Sequence, residues 1–289
     1  MLAHVHPLAC VSPHANLAAG TEVGPFAVIE AGVNIGPNCR IAAHAVIKCG
    51  TSLGADNQVG EHAVLGGQPQ HIAPPEETGQ LKIGDGNVFR EHVTLHRAMH
   101  AGQTTLIGDG NLLMVNAHVA HDCVVGNEVI LANNVMLGGH VQIADRAYLG
   151  GAVGVHQHCR IGSLAMVGGQ ARVTRDVPPF VMVDGETSCL VGLNKVGLRR
   201  AGYSTDDVAQ LKEAYRFIYR SGLAWAEMLE QLCEQHTAGV SAAFTEFFSA
   251  GQRGFTPDRR GPAQRSVLKM PQVAESAASK EDSVVRKAG

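Results

Sequence analysis

A chain of 289 residues with 23 Lys and Arg against 26 Asp and Glu, a formal charge of −3, can bury a substantial core but carries no overall basic field of the kind that holds nucleic acid. Its start lacks a charged segment followed by an apolar one, and no run approaches the roughly 18 apolar residues of a membrane span, so a soluble, cytoplasmic protein without stable membrane insertion is expected. The 7 cysteines are scattered and without a CxxC pair, which argues against a disulfide framework or cysteine zinc site and predicts buried thiols.

An aliphatic residue recurs every 6 positions at Val5, Val11, Leu17, Val23, Ile29, Ile35, Ile41, Ile47, Leu53, Val59 and Leu65, with a small or modest side chain two positions earlier, as at Ala9, Ala27, Cys39 and Ala45. The register returns at Ile83, Phe89 and Leu95, and again from Ile107 to Val173. A period of six fits neither an α-helix nor a simple strand. It suits a coil in which each hexad is one side and three sides make a turn of about 18 residues, with turns stacked about 4.8 Å apart. The interruptions at about residues 66–82 and 97–106 read as loops thrown out of the coil, where function concentrates.

Asp176-Val177-Pro178-Pro179 ends the regular repeat, since consecutive prolines withdraw strand donors. From about Leu190 the pattern turns helical. A capping-box-like start at Ser204 to Asp207 precedes Val208, Leu211, Ala214, Tyr215 and Ile218 at helical spacing, and further helices are expected over Leu223 to Cys233 and Ala242 to Ser249. The expected organisation is mainly β: a parallel β-helix over 1–189, an α-helical domain over 190–254 and a flexible tail over 255–289.

Histidine is the second anomaly, with 15 copies, of which His118, His121, His140 and His156 fall close together. Steps of 18 from 121 reach 139 and 157, which puts His121, His140 and His156 near one edge of successive turns. Asn116 and Asn134, also 18 apart, suggest a structural amide ladder, and His4, His6, His14, His44 and His62 read as solvated. Asp122 directly follows His121, and a carboxylate beside an imidazole fixes its tautomer and raises its basicity. No Ser or Cys nucleophile signature accompanies the pair, which favours direct attack by a substrate hydroxyl, with the backbone of Gly138-Gly139 available to an oxyanion. Two other readings stand beside this one. His96, His118 and His121 could hold zinc for chemistry of the carbonic anhydrase type, or the histidines could be incidental to a non-catalytic scaffold.

The run Asn111-Leu-Leu-Met-Val-Asn-Ala-His-Val-Ala-His-Asp-Cys123, with Gly-Gly-His at 138–140 and Val-His-Gln at 155–157, closely resembles the UDP-N-acetylglucosamine O-acyltransferases. The likeness spans about residues 4–254 and takes in His96-Arg97, Asp176 to Pro179 and Gly197 to Arg200. The resemblance implies a left-handed β-helix, an exception to the usual right-handed crossover, assembled as a homotrimer with active sites between subunits. It further implies transfer of a 3-hydroxyacyl chain from acyl carrier protein to the 3-hydroxyl of UDP-N-acetylglucosamine, the first step of lipid A biosynthesis, with the carrier thioester as co-substrate and no resident metal or other cofactor.

Matched to the family motif, His121 is the general base, Asp122 its orienting partner and Gly139 an oxyanion donor. Gln70, His96, His118, His140, His156 and Gln157 match substrate-proximal positions, Asn194 and Arg200 nucleotide-sugar contacts, and Gly169 the position that limits acyl-chain length, where glycine implies a deeper groove. Arg199 and Arg200 are candidates to meet the acidic carrier. Three departures stand out. Gln70-His71-Ile72-Ala73 replaces the family's Gln-Asp-Leu-Lys, Thr187 stands where histidine is common, and Val196 where Glu is common. The hexads begin at Val5, so the N-terminal uridine-binding domain of the pathway's later N-acyltransferase is not expected here. A 3-amino UDP-sugar stays open as the alternative acceptor.

Overall fold

The computed structural model describes residues 2–260 except Gln252. Its coil is a left-handed parallel β-helix of three sheets, with 11, 9 and 8 strands, visited in strict rotation as far as Arg172–Val173. The first face begins at His4–Val5, the second at Cys10–Val11 and the third at Asn16–Leu17. Undisturbed turns pair residues 18 apart, as His118 with Met136 and Val119 with Leu137. Adjacent strand residues face opposite ways, so the hexad's aliphatic residue points inward. Ile29, Ile47, Leu65, Leu95, Leu113, Leu131 and Leu149 are accordingly all less than 2 % exposed. Each such side chain contributes about 1.5–3 kcal/mol on burial.

Corners between faces place one residue per turn in the left-handed region, an uncommon conformation outside glycine. Histidine and asparagine tolerate it better than most. On the corner between the first and second faces, Phe26, His44, His62 and His92 take it with φ near 60° and stack ring on ring at 5.1, 4.9 and 5.1 Å. His44 and His62 are thus exposed but ordered in a column. The expected amide ladder continues this corner, Asn116 Nδ2 donating to Asn134 Oδ1 at 3.2 Å.

Buried thiols were expected throughout, but Cys39, Cys123 and Cys159 are buried while Cys10, Cys49 and Cys233 are exposed and Cys189 is half-buried; all are free. The difference follows register, since the buried ones occupy the inward small-residue position whereas Cys10 leads an outer strand position and Cys49 a corner.

Both interruptions are shorter than their sequence bounds. Strands Val64–Gly67 and Gln80–Ile83 reach into the first, and Thr104–Ile107 into the second, because Leu81 and Thr105 keep pairing along the third face. The excursions shrink to 68–79 and 97–103, and both leave the coil at the same corner, between the second and third faces.

The coil does not stop at the prolines. Val181–Val183 adds a further rung to the first face, 16 residues above Met166, and is then covered by Leu190–Leu193 running antiparallel. The helical pattern expected from Leu190 therefore begins at α1 (Lys195–Arg200), followed by α2 (Thr205–Arg220), α3 (Trp225–Gln235) and α4 (Ala242–Ser249). The Ser204–Asp207 capping box is formed in both directions. A tail from 255 is also corrected in part. Phe255 stacks on Trp225 at 4.9 Å, and Thr256 and Asp258 bond back to Asp176 and to the Leu190 strand. The anchor is Asp176, whose side chain is 1 % exposed and whose Oδ2 accepts from Arg160 Nε at 2.8 Å. The rest of the expected tail, 261–289, lies outside the described residues. Among those described, no helix is long and apolar enough to cross a membrane.

Candidate active site

His121 and Asp122 form the corner between the second-face strand His118–Val119 and the third-face strand Val124–Val125. Within a strand, neighbours would point apart; Asp122 instead adopts φ 60°, and the bend folds its carboxylate beside the preceding ring. His121 Nδ1 lies 2.7 Å from Asp122 Oδ2, with side-chain exposures of only 13 % and 8 %. A carboxylate oxygen accepts here, so the proton of this bond sits on Nδ1, and in the neutral ring the lone pair is then on Nε2. The second loop holds the carboxylate from the other side: Met99 N–H donates to Asp122 Oδ2 at 3.1 Å, while Asp122 N–H donates to Thr105 Oγ1 at 2.8 Å.

One turn above, Gly139 stacks directly on His121. A Cβ there would sit 2.6 Å from the ring's Cε1 and 2.7 Å from Nε2, so only glycine lets the imidazole lie where it does. Among the described residues the Gly139 N–H has no acceptor, which leaves it free beside the basic nitrogen.

Steps of 18 place Gly139 and Gln157 in the column of His121, whereas His140 and His158 share the column of Asp122. His140 stands edge-on to His121, with ring centroids 5.2 Å apart, and its Nε2 is 3.8 Å from Asp122 Oδ2. Burial, with His121 and His100 nearby, holds His140 below the ordinary imidazole value against the pull of Asp122. His156 belongs to the neighbouring column and is exposed, its Nδ1 3.2 Å from the Gln157 carbonyl. Sequence reasoning missed His158, which stacks on His140. Counting 18 from His140 rather than from His121 finds it.

On the second face, His118 Nδ1 is 2.8 Å from the Thr94 hydroxyl, and its ring meets that of His96 edge-on at 5.1 Å. Burial pushes His118 down to about 4 and lowers His96 as well, so both are neutral at physiological pH. His96 Nδ1 bonds the Gln68 carbonyl at the mouth of the first loop. Gln70 is exposed on that loop, and His71 turns back on its own segment, with Nδ1 3.1 Å from the Ala73 carbonyl.

The remaining sequence-predicted residues lie elsewhere on this chain. Gly169 sits on the corner between the first and second faces, beside Gly151. Asn194 is 8 % exposed and already engaged: it caps α1 by accepting from Gly197 N–H at 2.9 Å and donates to the Leu164 carbonyl at 2.9 Å, on the corner between the third and first faces. Arg200 is exposed in the last turn of α1. As for metal, of the predicted trio His96, His118 and His121, only His121 falls in a group with ligand spacing among the described residues. That group is His121, Asp122 and His140, with ligand atoms within 4.8 Å of one another, and Nδ1 of His121 is already committed to the carboxylate.

A hexad-built left-handed coil carrying a carboxylate-oriented imidazole beside an unpaired backbone N–H defines a hexapeptide-repeat acyltransferase. Comparison with known proteins narrows the class. The model described as "Bacterial transferase hexapeptide (six repeats)" matches residues 14–49 and 104–139, and "Udp N-acetylglucosamine O-acyltransferase; Domain 2" matches 176–256. The acyl-[acyl-carrier-protein]–UDP-N-acetylglucosamine O-acyltransferase of Halorhodospira halophila is 48 % identical over 256 residues, 88 % of this chain and 99 % of that one. Its Synechocystis counterpart is 44 % identical over 202 residues, 68 % and 71 % of the two chains. The crystal structure of the Francisella novicida UDP-N-acetylglucosamine acyltransferase superposes with a TM-score of 0.84 at 34 % identity, covering 89 % of this chain and 95 % of that one. The chain belongs to the UDP-N-acetylglucosamine O-acyltransferase family.

Proposed function

We propose that this protein transfers a 3-hydroxyacyl chain from acyl carrier protein to the glucosamine 3-hydroxyl of UDP-N-acetylglucosamine, the first step of lipid A biosynthesis. The observation that carries the reading is the His121–Asp122 pair at 2.7 Å, with Nε2 of the same ring packed over Gly139. In this reading Nε2 takes the proton of the sugar hydroxyl as its oxygen attacks the thioester carbonyl, and Asp122 stabilises the imidazolium. The tetrahedral oxyanion is received by the Gly139 N–H. Its collapse breaks the C–S bond, and the imidazolium returns the proton to the departing carrier thiolate. The thioester supplies the leaving group, so no cofactor enters the scheme.

The neutral His118 and His96, with His140, line the approach to the base and suit hydrogen bonding to a sugar rather than to an anion. His156, Gln157, Gln70 and Arg200 are exposed and available to the nucleotide or the carrier. A homotrimer fits the dispersal of the other residues: Gly169 and Asn194 sit on corners other than that of His121, so a cleft between copies could gather what one chain keeps apart. A cytoplasmic location agrees with such soluble co-substrates. Incubating the purified protein with both UDP-N-acetylglucosamine and its 3-amino analogue, and with carrier proteins of graded acyl length, tests the reading by mass of the product. O-acylation supports it, N-acylation alone moves the acceptor to the amino sugar, and acylation of neither overturns it.

A further inference from the structure

Asp122, His140 and His158 occupy the same left-handed corner position on three successive turns, with φ of 60°, 60° and 64°. The backbone fixes two of them equally: His140 N–H donates to the His121 carbonyl and His158 N–H to the Gly139 carbonyl, each at 3.0 Å. The imidazoles of His140 and His158 are stacked at 4.5 Å with 8° between their planes. A histidine ring otherwise turns in a broad, roughly two-fold well, so a stacked neighbour is what selects its plane. We propose that His158 is a positioning residue for acyl transfer: it holds the His140 ring in the plane that presents an edge to the His121–Asp122 pair and to the bound sugar. This rests on the reading of the corner as the acyl-transfer site.

The groups facing the two rings are Asp122, His121 and His100 around His140, and Arg253, His156 and His121 around His158. Asp122 is the single anion among them. Burial holds both rings below the ordinary imidazole value; at His140 it outweighs the opposing pull of Asp122, and at His158 the neighbouring His140 and Arg253 add to it. A proton on one ring opposes a proton on the other, so the pair titrates as a unit.

Two substitutions separate stacking from charge. His158→Asn tolerates the left-handed backbone but lacks a ring; His158→Phe keeps a ring, and Phe26 and Phe180 already adopt this conformation here, with φ 60° and 66°. The Asn variant is expected to raise KM for the sugar nucleotide roughly two- to tenfold, the scale of one aromatic pair, with kcat little changed. The Phe variant should restore KM. By NMR on the free protein, the His140 imidazole should titrate in a broadened, coupled curve in the wild type and in a single step at higher pH in the Phe variant. Wild-type KM in the Asn variant, no rescue by Phe, or an unchanged His140 titration would each overturn the proposal. If the wild type acylates no sugar nucleotide, the acyl-transfer reading fails, and the titration, which needs no substrate, still decides whether His158 governs His140.

Discussion

The two corners bordering the third face share a backbone path and differ in how their hydrogen bonds close. Between the third and first faces, the side chain of each turn reaches down to the turn below: Ala55 N–H donates to Asp85 Oδ1, Asp85 N–H to Asp109 Oδ1, Asp109 N–H to Asn127 Oδ1 and Asn127 N–H to Asp145 Oδ1, at 2.7–2.8 Å. Inside the same edge Asn57, Asn87 and Asn111 form a second, buried ladder. Each rung from Ala55 to Asn127 is satisfied, and glycines such as Gly84 keep clear the space into which the next carboxylate, here that of Asp109, reaches. Between the second and third faces that position holds His121 and then Gly139; the carboxylate comes one residue later, at Asp122, where it serves an imidazole and a loop amide, and the Gly139 N–H is left without an acceptor among the described residues. A closed ladder stabilises the coil. An interrupted one leaves a base and a donor for a substrate.

If that contrast holds, His121→Ala should lower kcat/KM by about 10²–10⁴-fold while the circular dichroism spectrum and melting temperature stay near wild type. Gly139→Ala should cost on the order of 10²-fold in kcat, because the new methyl displaces the His121 ring from Asp122, with stability changed far less than activity. Equal losses in both would place the glycine's importance in the fold. On the closed corner the signs reverse: Asp109→Ala should destabilise by about 0.5–1.5 kcal/mol in urea titration, by removing the acceptor of the exposed Asp85 N–H, and leave kcat/KM within about twofold.

The smallest effect is on pH dependence. His118 has a folded value of about 4, below its ordinary 6.5, so the unfolded chain binds its proton first. Its contribution to stability is fully present above about 6.5 and is lost as pH falls towards about 4. His118→Gln should therefore shrink the drop in urea midpoint between these values, and an unchanged drop would assign it to other buried groups such as His96.

The hexads made the coil legible at once, because an inward residue every sixth position has no other repeating solution. They were also enough to put His121, His140 and His156 on one corner. They were less informative where the hexad fails. Leu190–Leu193 reads as the approach to a helix, yet it pairs antiparallel with Val181–Val183 because that last rung presents an open strand edge. Phe255 and Asp258 sit in a weakly apolar stretch and are held by partners distant in sequence, Trp225 and the Leu190 strand. Asn194 matched a family position for binding, and its use as a helix cap depends on where α1 starts.

Between interruptions, chain periodicity alone settles which residues share a column, since each undisturbed turn adds 18 residues. It does not settle which way a side chain turns at the corner. That is decided by the left-handed bend at Asp122, which brings two sequence neighbours together, and by the departure of both loops from this one corner, which supplies the Met99 N–H to the carboxylate. Stacking of His158 on His140 belongs to the same category, since a column position fixes height along the coil, and only packing fixes the plane of a ring.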